Sequence, residues 1–286
     1  MQPLSRWKRR LYLYSLAALF FILVPIVFLY AAGYRYRSGI GFVQTGAIFV
    51  TVGYSGAQIL LDGAHIGTSG ILNRNFYVDN LAPGAYTLEV SHEAYRPWSR
   101  MLVVEQNLVS TAAAFLLPEK IDVMRLTTAT STDSAGSPQA ATSTESTISV
   151  VQRSTYLQAF SAHASTTAAG ASEEQGGEGL FLEHGNVYVR WLRQSASPPD
   201  NFCGRPSYCA LEIPIERGPE TATRAAFYAG GVVYRTKEEG VFIVEADVRP
   251  NPVSAPLYPK PGADFVIVGS ALIIKDGSAL YEIQGL

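Results

Sequence analysis

An apolar run at positions 11–32 constrains this chain more than any other feature of its sequence. The run carries no charge. As a helix rising 1.5 Å per residue, its roughly 22 residues reach about 33 Å, enough to cross a hydrocarbon core of about 30 Å. A core helix of a globular domain would show a polar stripe, whereas this run is apolar all round. Pro25 stands in its middle and, within lipid, bends a helix without ending it. Two readings follow. The length predicts a retained transmembrane anchor. The alternative is a leader cleaved near Ala31-Ala32-Gly33, although such leaders have apolar cores of about 7–15 residues.

The flanks orient the span. Residues 1–10 carry Arg6, Lys8, Arg9 and Arg10 and no acid. Positive charge stays cytoplasmic, so a cytoplasmic basic tail is expected at 1–10, with the bulk of the chain outside the cytoplasmic membrane. Trp7, Tyr12 and Tyr14 on one side, and Tyr30, Tyr34 and Tyr36 on the other, suit the two interfaces. The lipid bilayer, met through residues 11–32, is thus the first expected partner.

About 250 residues remain, enough for two small domains. Only 16% of the chain is charged, Tyr and Gly are plentiful, and the net charge is −2. No sustained 3.6-residue period follows the anchor, so the exported part reads as mainly β. The near-neutral charge gives no footprint for nucleic acid. The two cysteines, Cys203 and Cys209, would lie in an oxidising compartment; a disulfide is expected there, with free thiols as the alternative.

After a connector at 33–45, a block at 46–118 reads as six or seven short strands forming a β-sandwich. Ile48, Val50 and Val52 share one face. Tyr86, Leu88 and Val90 point one way, and Thr87, Glu89 and Ser91 the other. Asp62-Gly63 marks a hairpin turn, and Pro83-Gly84 fits the centre of a type II turn. Gly56 lets the chain change direction without a Cβ clash.

These residues resemble the PEGA domain, a small β-sandwich of exported bacterial proteins, over about a quarter of the chain. Tyr54-Ser55-Gly56-Ala57 stands in the place of the name-giving tetrapeptide. Leu61-Asp62-Gly63-Ala64-His65-Ile66-Gly67 is similar to the family's "LDG…G" turn. Leu81-Ala82-Pro83-Gly84-Ala85-Tyr86-Thr87-Leu88-Glu89-Val90 is similar to its "L-x-PG-x-Y-x-L-x-V" strand. Ala94-Tyr95-Arg96-Pro97-Trp98 falls where a Gly-Tyr and a later Trp are usual. Tyr54, Ser55 and Ala94 depart from the pattern. The resemblance implies an envelope protein and gives Trp98 a structural position.

Residues 119–179 are dominated by Ser, Thr, Ala and Gly and read as a flexible segment, plain linker or glycosylated stalk. A strand-like interlude at 148–160 is expected to dock on a neighbouring domain. The last block, 180–286, repeats an apolar–turn–apolar unit around Glu183-His184-Gly185-Asn186, Gly231-Val232-Val233-Tyr234, Gly240-Val241-Phe242-Ile243-Val244 and Lys275-Asp276-Gly277-Ser278. Its spacing suggests propeller blades, yet about three are visible and a closed ring needs at least about four. A partial propeller-like β domain and a second sandwich are both open readings.

No constellation with chemistry stands out. His65, His92, His163 and His184 are scattered, without partners at metal-binding spacing. Glu173-Glu174 and Glu238-Glu239 are adjacent acids, and adjacent side chains in extended chain diverge. No phosphate loop, dinucleotide fingerprint or G-x-S-x-G elbow occurs, so no catalytic residue, cofactor or metal is expected. Exposed aromatics beside polar groups are the candidates for binding: Tyr77, Tyr95 and Trp98 on the first module, Trp191 and Tyr208 on the second, each with a core role as its alternative. The expectation is a non-enzymatic membrane protein displaying β modules for binding cell-wall polymer or an envelope protein. The alternatives are a scaffold or sensor subunit of a membrane complex, and a tethered enzyme with a loop-built site in the last block.

Overall fold

The computed structural model describes residues 6–37, 41–128, 145–163, 173–193, 195–215 and 221–286. It is mainly β, with one N-terminal helix, α1 (Arg6–Ala31), of 26 residues. Its segment Trp7–Ala31 has a mean hydropathy of 2.4 and none of its most apolar window is buried. The helix is therefore long and apolar enough to cross a membrane. It begins earlier than the apolar run: Arg6, Lys8, Arg9 and Arg10 lie on its first turns and not in a separate tail. Lys and Arg are good helix formers, so the basic flank can continue the helix of the apolar run.

The connector at 33–45 is a structured joint. Gly33, at φ 81°, caps α1 in the left-handed conformation, and its N–H donates to Tyr30 O at 3.2 Å. The chain then folds into an antiparallel hairpin, β1 (Tyr34–Arg37) and β2 (Gly41–Gln44). Arg35 ties three parts together. Its Nη1 donates to Tyr30 O at 2.9 Å, its guanidinium lies 3.8 Å over the Tyr30 ring, and its Nε donates to Asn80 Oδ1 at 2.9 Å.

The first module is a two-sheet sandwich built from β3 (Gly46–Val52), β4 (Gln58–Leu61), β5 (Ala64–Thr68), β6 (Asn75–Leu81), β7 (Gly84–Ser91), β8 (Trp98–Val104) and β9 (Val109–Ala114). One sheet has the order β6-β3-β9 and the other β5-β4-β7-β8. Ile48, Val50 and Val52 meet Leu88, Val90 and Leu102 in the core between them. The alternation expected along 86–91 holds, with Leu88 and Val90 buried and Thr87 and Glu89 exposed. Asp62 and Gly63 both have positive φ, 49° and 77°, as a tight hairpin turn requires. The type II turn expected at Pro83-Gly84 is not formed: Gly84 has no positive φ and opens β7. The reason is topological, because β6 and β7 belong to different sheets and the chain crosses between layers there.

The second module begins inside the stretch expected to be flexible. β10 (Asp122–Thr128), β11 (Glu145–Ile148) and α2 (Val150–His163) are folded elements. Residues 129–144 and 164–172, where a stalk was expected, lie outside the described residues, as does the side chain of His163. The interlude at 148–160 is chiefly helix. Ser149 and Gln152 form a reciprocal capping box, Gln152 N donating to Ser149 Oγ at 3.1 Å and Ser149 N to Gln152 Oε1 at 3.0 Å. It does dock: Ile148 and Phe160 are buried against Val266, Ile273 and Leu280.

Three meander sheets follow in chain order. The first comprises β12 (Glu173–Gln175), β13 (Glu178–Glu183) and β14 (Asn186–Trp191). After a small hairpin of β15 (Cys203–Arg205) and β16 (Tyr208–Cys209), it is completed by β17 (Glu212–Pro214). The second comprises β18 (Ala222–Tyr228), β19 (Gly231–Thr236), β20 (Gly240–Val244) and β21 (Ser254–Tyr258). The third comprises β22 (Asp264–Val268), β23 (Ala271–Asp276) and β24 (Ala279–Gln284); β10 pairs antiparallel with β24, and β11 forms the outer edge. The middle sheet is buried on both faces. Val232 and Val244 face the first sheet, while the adjacent Val233 and Ile243 face the third. This is why β19 and β20 read as continuous apolar runs and not as alternation. Among the described residues no core cluster joins the first sheet to the third, so the blade-like sheets form an open stack.

Candidate functional site: the cleft between the two β modules

The two modules are joined through neighbouring leucines that enter different cores. Leu116 packs into the sandwich and Leu117 into the second module. Charge reinforces the joint. β8 alternates inward as Trp98, Arg100, Leu102 and Val104, so one of its core-facing positions holds a guanidinium that is 1% exposed. Arg100 forms an ion pair with Glu245 from the second module, and its Nη1 donates to Pro250 O at 2.7 Å. Trp98 Nε1 and Val253 N also donate to the Glu245 carboxylate, each at 3.1 Å. Burial raises the Glu245 carboxyl above its ordinary range, against the pull of Arg100 and these hydrogen bonds.

A second set of contacts runs beside it. Arg249 is held by Asp247, with Nε to Oδ1 at 2.8 Å, and its Nη1 donates to Thr111 O on β9 at 2.9 Å. The Thr111 hydroxyl donates to Asp200. Glu105 accepts from Ser207 N and Oγ at 2.9 and 2.8 Å. Ser207 lies in the small loop closed by a disulfide between Cys203 and Cys209.

Alongside these contacts lies a cleft of about 980 Å³. Its floor is the outer face of the three-stranded sheet, where Phe49 and Thr51 of β3 lie beside Thr111 and Ala113 of β9. These positions face outward because Ile48, Val50 and Ala112 take the core side. The opposite wall comes from the second module: Gln175, Gly176 and Glu178 from the β12–β13 turn, Asp200 and Asn201, Phe227 with the β18–β19 turn, and Glu245, Ala246, Asp247 and Arg249. Phe115 and Tyr54 add aromatic surface. The cleft is thus apolar on its floor and acidic on its wall. Glu178 is half-buried, accepts from Asn201 Nδ2 at 3.4 Å, and has its carboxyl raised by burial. Among the described residues no group of three or more His, Cys, Asp or Glu is placed to hold a metal ion.

None of the aromatics singled out from sequence lines this cleft, although several stand next to residues that do. Tyr77 is exposed on β6, in register beside Phe49 on the same face. Tyr95 packs 4.5 Å from the Tyr54 ring. Trp191 lies 6.4 Å from Phe202 and donates through Nε1 to Ala196 O at 2.9 Å. Tyr208 is exposed on the disulfide loop. Trp98 is corrected as a ligand contact: it is wholly buried and its indole N–H is spent on Glu245. Glu173 and Glu174 sit on strand β12 and not on a loop, and Glu173 accepts the Phe227 N–H at 2.8 Å.

Arg100, Glu245, Asp247, Arg249, Glu178 and Asp200 are not among the site residues expected from sequence. For Arg100 a signal existed, a charge at an inward position of an alternating strand, which must find a partner when buried. The chain matches no model of a known protein family and no curated protein.

Proposed function

We propose that this chain is a single-pass membrane protein that holds its β modules outside the cytoplasmic membrane and recognises an envelope partner through the intermodule cleft, catalysing no reaction itself. The observation that carries this reading is the joint between helix and ectodomain: a span with mean hydropathy 2.4 passes through a capped end and a hairpin directly into the module that floors the cleft. The basic first turns of α1 support an N-inside orientation. The cell envelope as the setting is carried over from the sequence likeness of residues 61–67 and 81–90 to the PEGA domain.

The test is protease accessibility on intact cells carrying a C-terminal epitope. Digestion of the epitope without permeabilisation is expected; protection until the membrane is opened would reverse the orientation and remove the basis for an envelope partner.

One observation favours a second reading, a tethered enzyme. Glu178 combines a raised carboxyl with a place in a cleft of about 980 Å³, the usual setting of a general acid. Turnover of an envelope glycan or peptide by the full chain, abolished in Glu178→Gln, would establish it.

A further inference from the structure

The acids of the cleft wall differ in how well they are compensated. Glu245 is neutralised by Arg100 and Asp247 by Arg249. Asp200 has the Thr111 hydroxyl and Glu178 an amide contact at 3.4 Å, and among the described residues neither pairs with a base. The lining residues hold four acids, Glu178, Asp200, Glu245 and Asp247, against one base, Arg249; Arg100 behind Glu245 leaves an excess of two negative charges. Two carboxylates are therefore left without a cation, one of them half-buried, in a cleft with Phe49 on its floor and Phe227 on its opposite wall. Anionic polymers are repelled from such a site, and a neutral ligand leaves the charge uncompensated.

What fits both walls is an aliphatic stem ending in a cation. The stem lies on the aromatic floor, and the head reaches a carboxylate that lacks a partner. At about 980 Å³ the cleft stands at the top of the 300–1,000 Å³ range of small-ligand pockets, so it has room for several residues of an extended chain around one such side chain. We infer that the cleft receives a lysine side chain of a partner polypeptide, with its ammonium on Glu178 and Asp200 and its stem along Phe49 and Phe227. This rests on the cleft being the recognition site, and it names the chemistry of what is recognised.

The test uses the full chain in nanodiscs of zwitterionic phosphatidylcholine, which gives a cationic probe no anionic lipid. Three probes are titrated at low salt: a capped octapeptide of alternating alanine and lysine, the same peptide with norleucine for lysine, and a neutral chito-oligosaccharide. The lysine peptide is expected to bind and the other two to stay free. Glu178→Gln is expected to weaken binding about tenfold or more, as loss of a charged hydrogen bond does. Thr51→Lys, an exposed floor position, is expected to abolish binding by supplying a competing ammonium. Glu239→Gln, an exposed acid on the β19–β20 turn, is expected to leave binding unchanged. Equal losses in Glu178→Gln and Glu239→Gln would reduce the effect to diffuse charge and overturn the proposal. So would lysine-peptide binding that survives both cleft variants, or no binding of that peptide. Oligosaccharide binding lost in Thr51→Lys would overturn the lysine ligand while leaving the cleft as a recognition site; a measured turnover would instead overturn the non-enzymatic reading.

Discussion

Arg100, at an inward position of β8, ties the sandwich to the second module through Glu245 and Pro250 O. Its guanidinium is buried at a module boundary and is balanced by one carboxylate, so removing it strands Glu245 without a cation. Arg100→Met is expected to destabilise the full chain by about 3–5 kcal/mol in chemical denaturation, because a buried charge is left unpaired. Adding Glu245→Leu is expected to restore most of that loss; a double variant as unstable as the single one would mean that the pair acts through shape and not charge. Glu178 behaves in the opposite sense. Its carboxyl is raised in the folded chain, so the folded state holds its proton more tightly, and stability falls as pH rises through the window above the ordinary carboxylate range. Glu178→Gln is therefore expected to raise the melting temperature at neutral pH and to leave it unchanged at a pH low enough to protonate the carboxyl in both states. Such a site gives up some stability to keep a carboxylate in the cleft, as binding sites often do.

At the scale of elements, the disulfide hairpin and the intersheet ion pairs are the parts open to test. The Cys203–Cys209 bridge spans six positions, and closing so short a loop constrains the unfolded chain by about 2 kcal/mol. Replacing both cysteines with serine is expected to cost about that much, and to loosen Ser207 from Glu105, seen as faster amide exchange at Ser207. Asp264 joins the second and third sheets by accepting from Arg224 at 3.0 Å and Arg235 at 2.9 Å. Asp264→Ala is expected to cost about 1–3 kcal/mol on denaturation, since two partly buried cations lose their acceptor. The legibility of elements in sequence follows from how local their causes are. The sandwich strands were readable because each has one buried face, as Leu88 and Val90 show against Thr87 and Glu89. The turn at Asp62-Gly63 was readable because its backbone demands are local. β10 was not, because Leu126 is buried by a partner strand more than 150 positions away at Leu280. α2 was misread although its capping box, Ser149 to Gln152, is visible in sequence; one apolar stripe at Tyr156, Ala159 and Phe160 was outweighed by the Ser, Thr and Ala around it. The cleft was unreadable for the same reason as β10: Thr51, Glu178, Asp200 and Asp247 meet only once the second module has closed on the first.

For the whole molecule, the two modules behave as one unit, held by Leu116 and Leu117, the Arg100–Glu245 pair and the contacts of Arg249 and Asp200 with β9. A single unfolding transition is expected by both tryptophan fluorescence and far-ultraviolet circular dichroism; two separated transitions would show the modules melting independently. The same continuity extends to α1 through Arg35, which bridges the last turn of the helix and Asn80 of the sandwich. Tyr77, beside the Phe49 floor of the cleft, is three residues along the strand from Asn80, or about 10 Å. Were α1 to span a bilayer, as proposed, this joint would hold the sheet that floors the cleft beside the end of the span instead of on a free tether. Under the proposed recognition role, this joint would favour partners held in the same membrane, where a search confined to two dimensions makes even a weak grip effective.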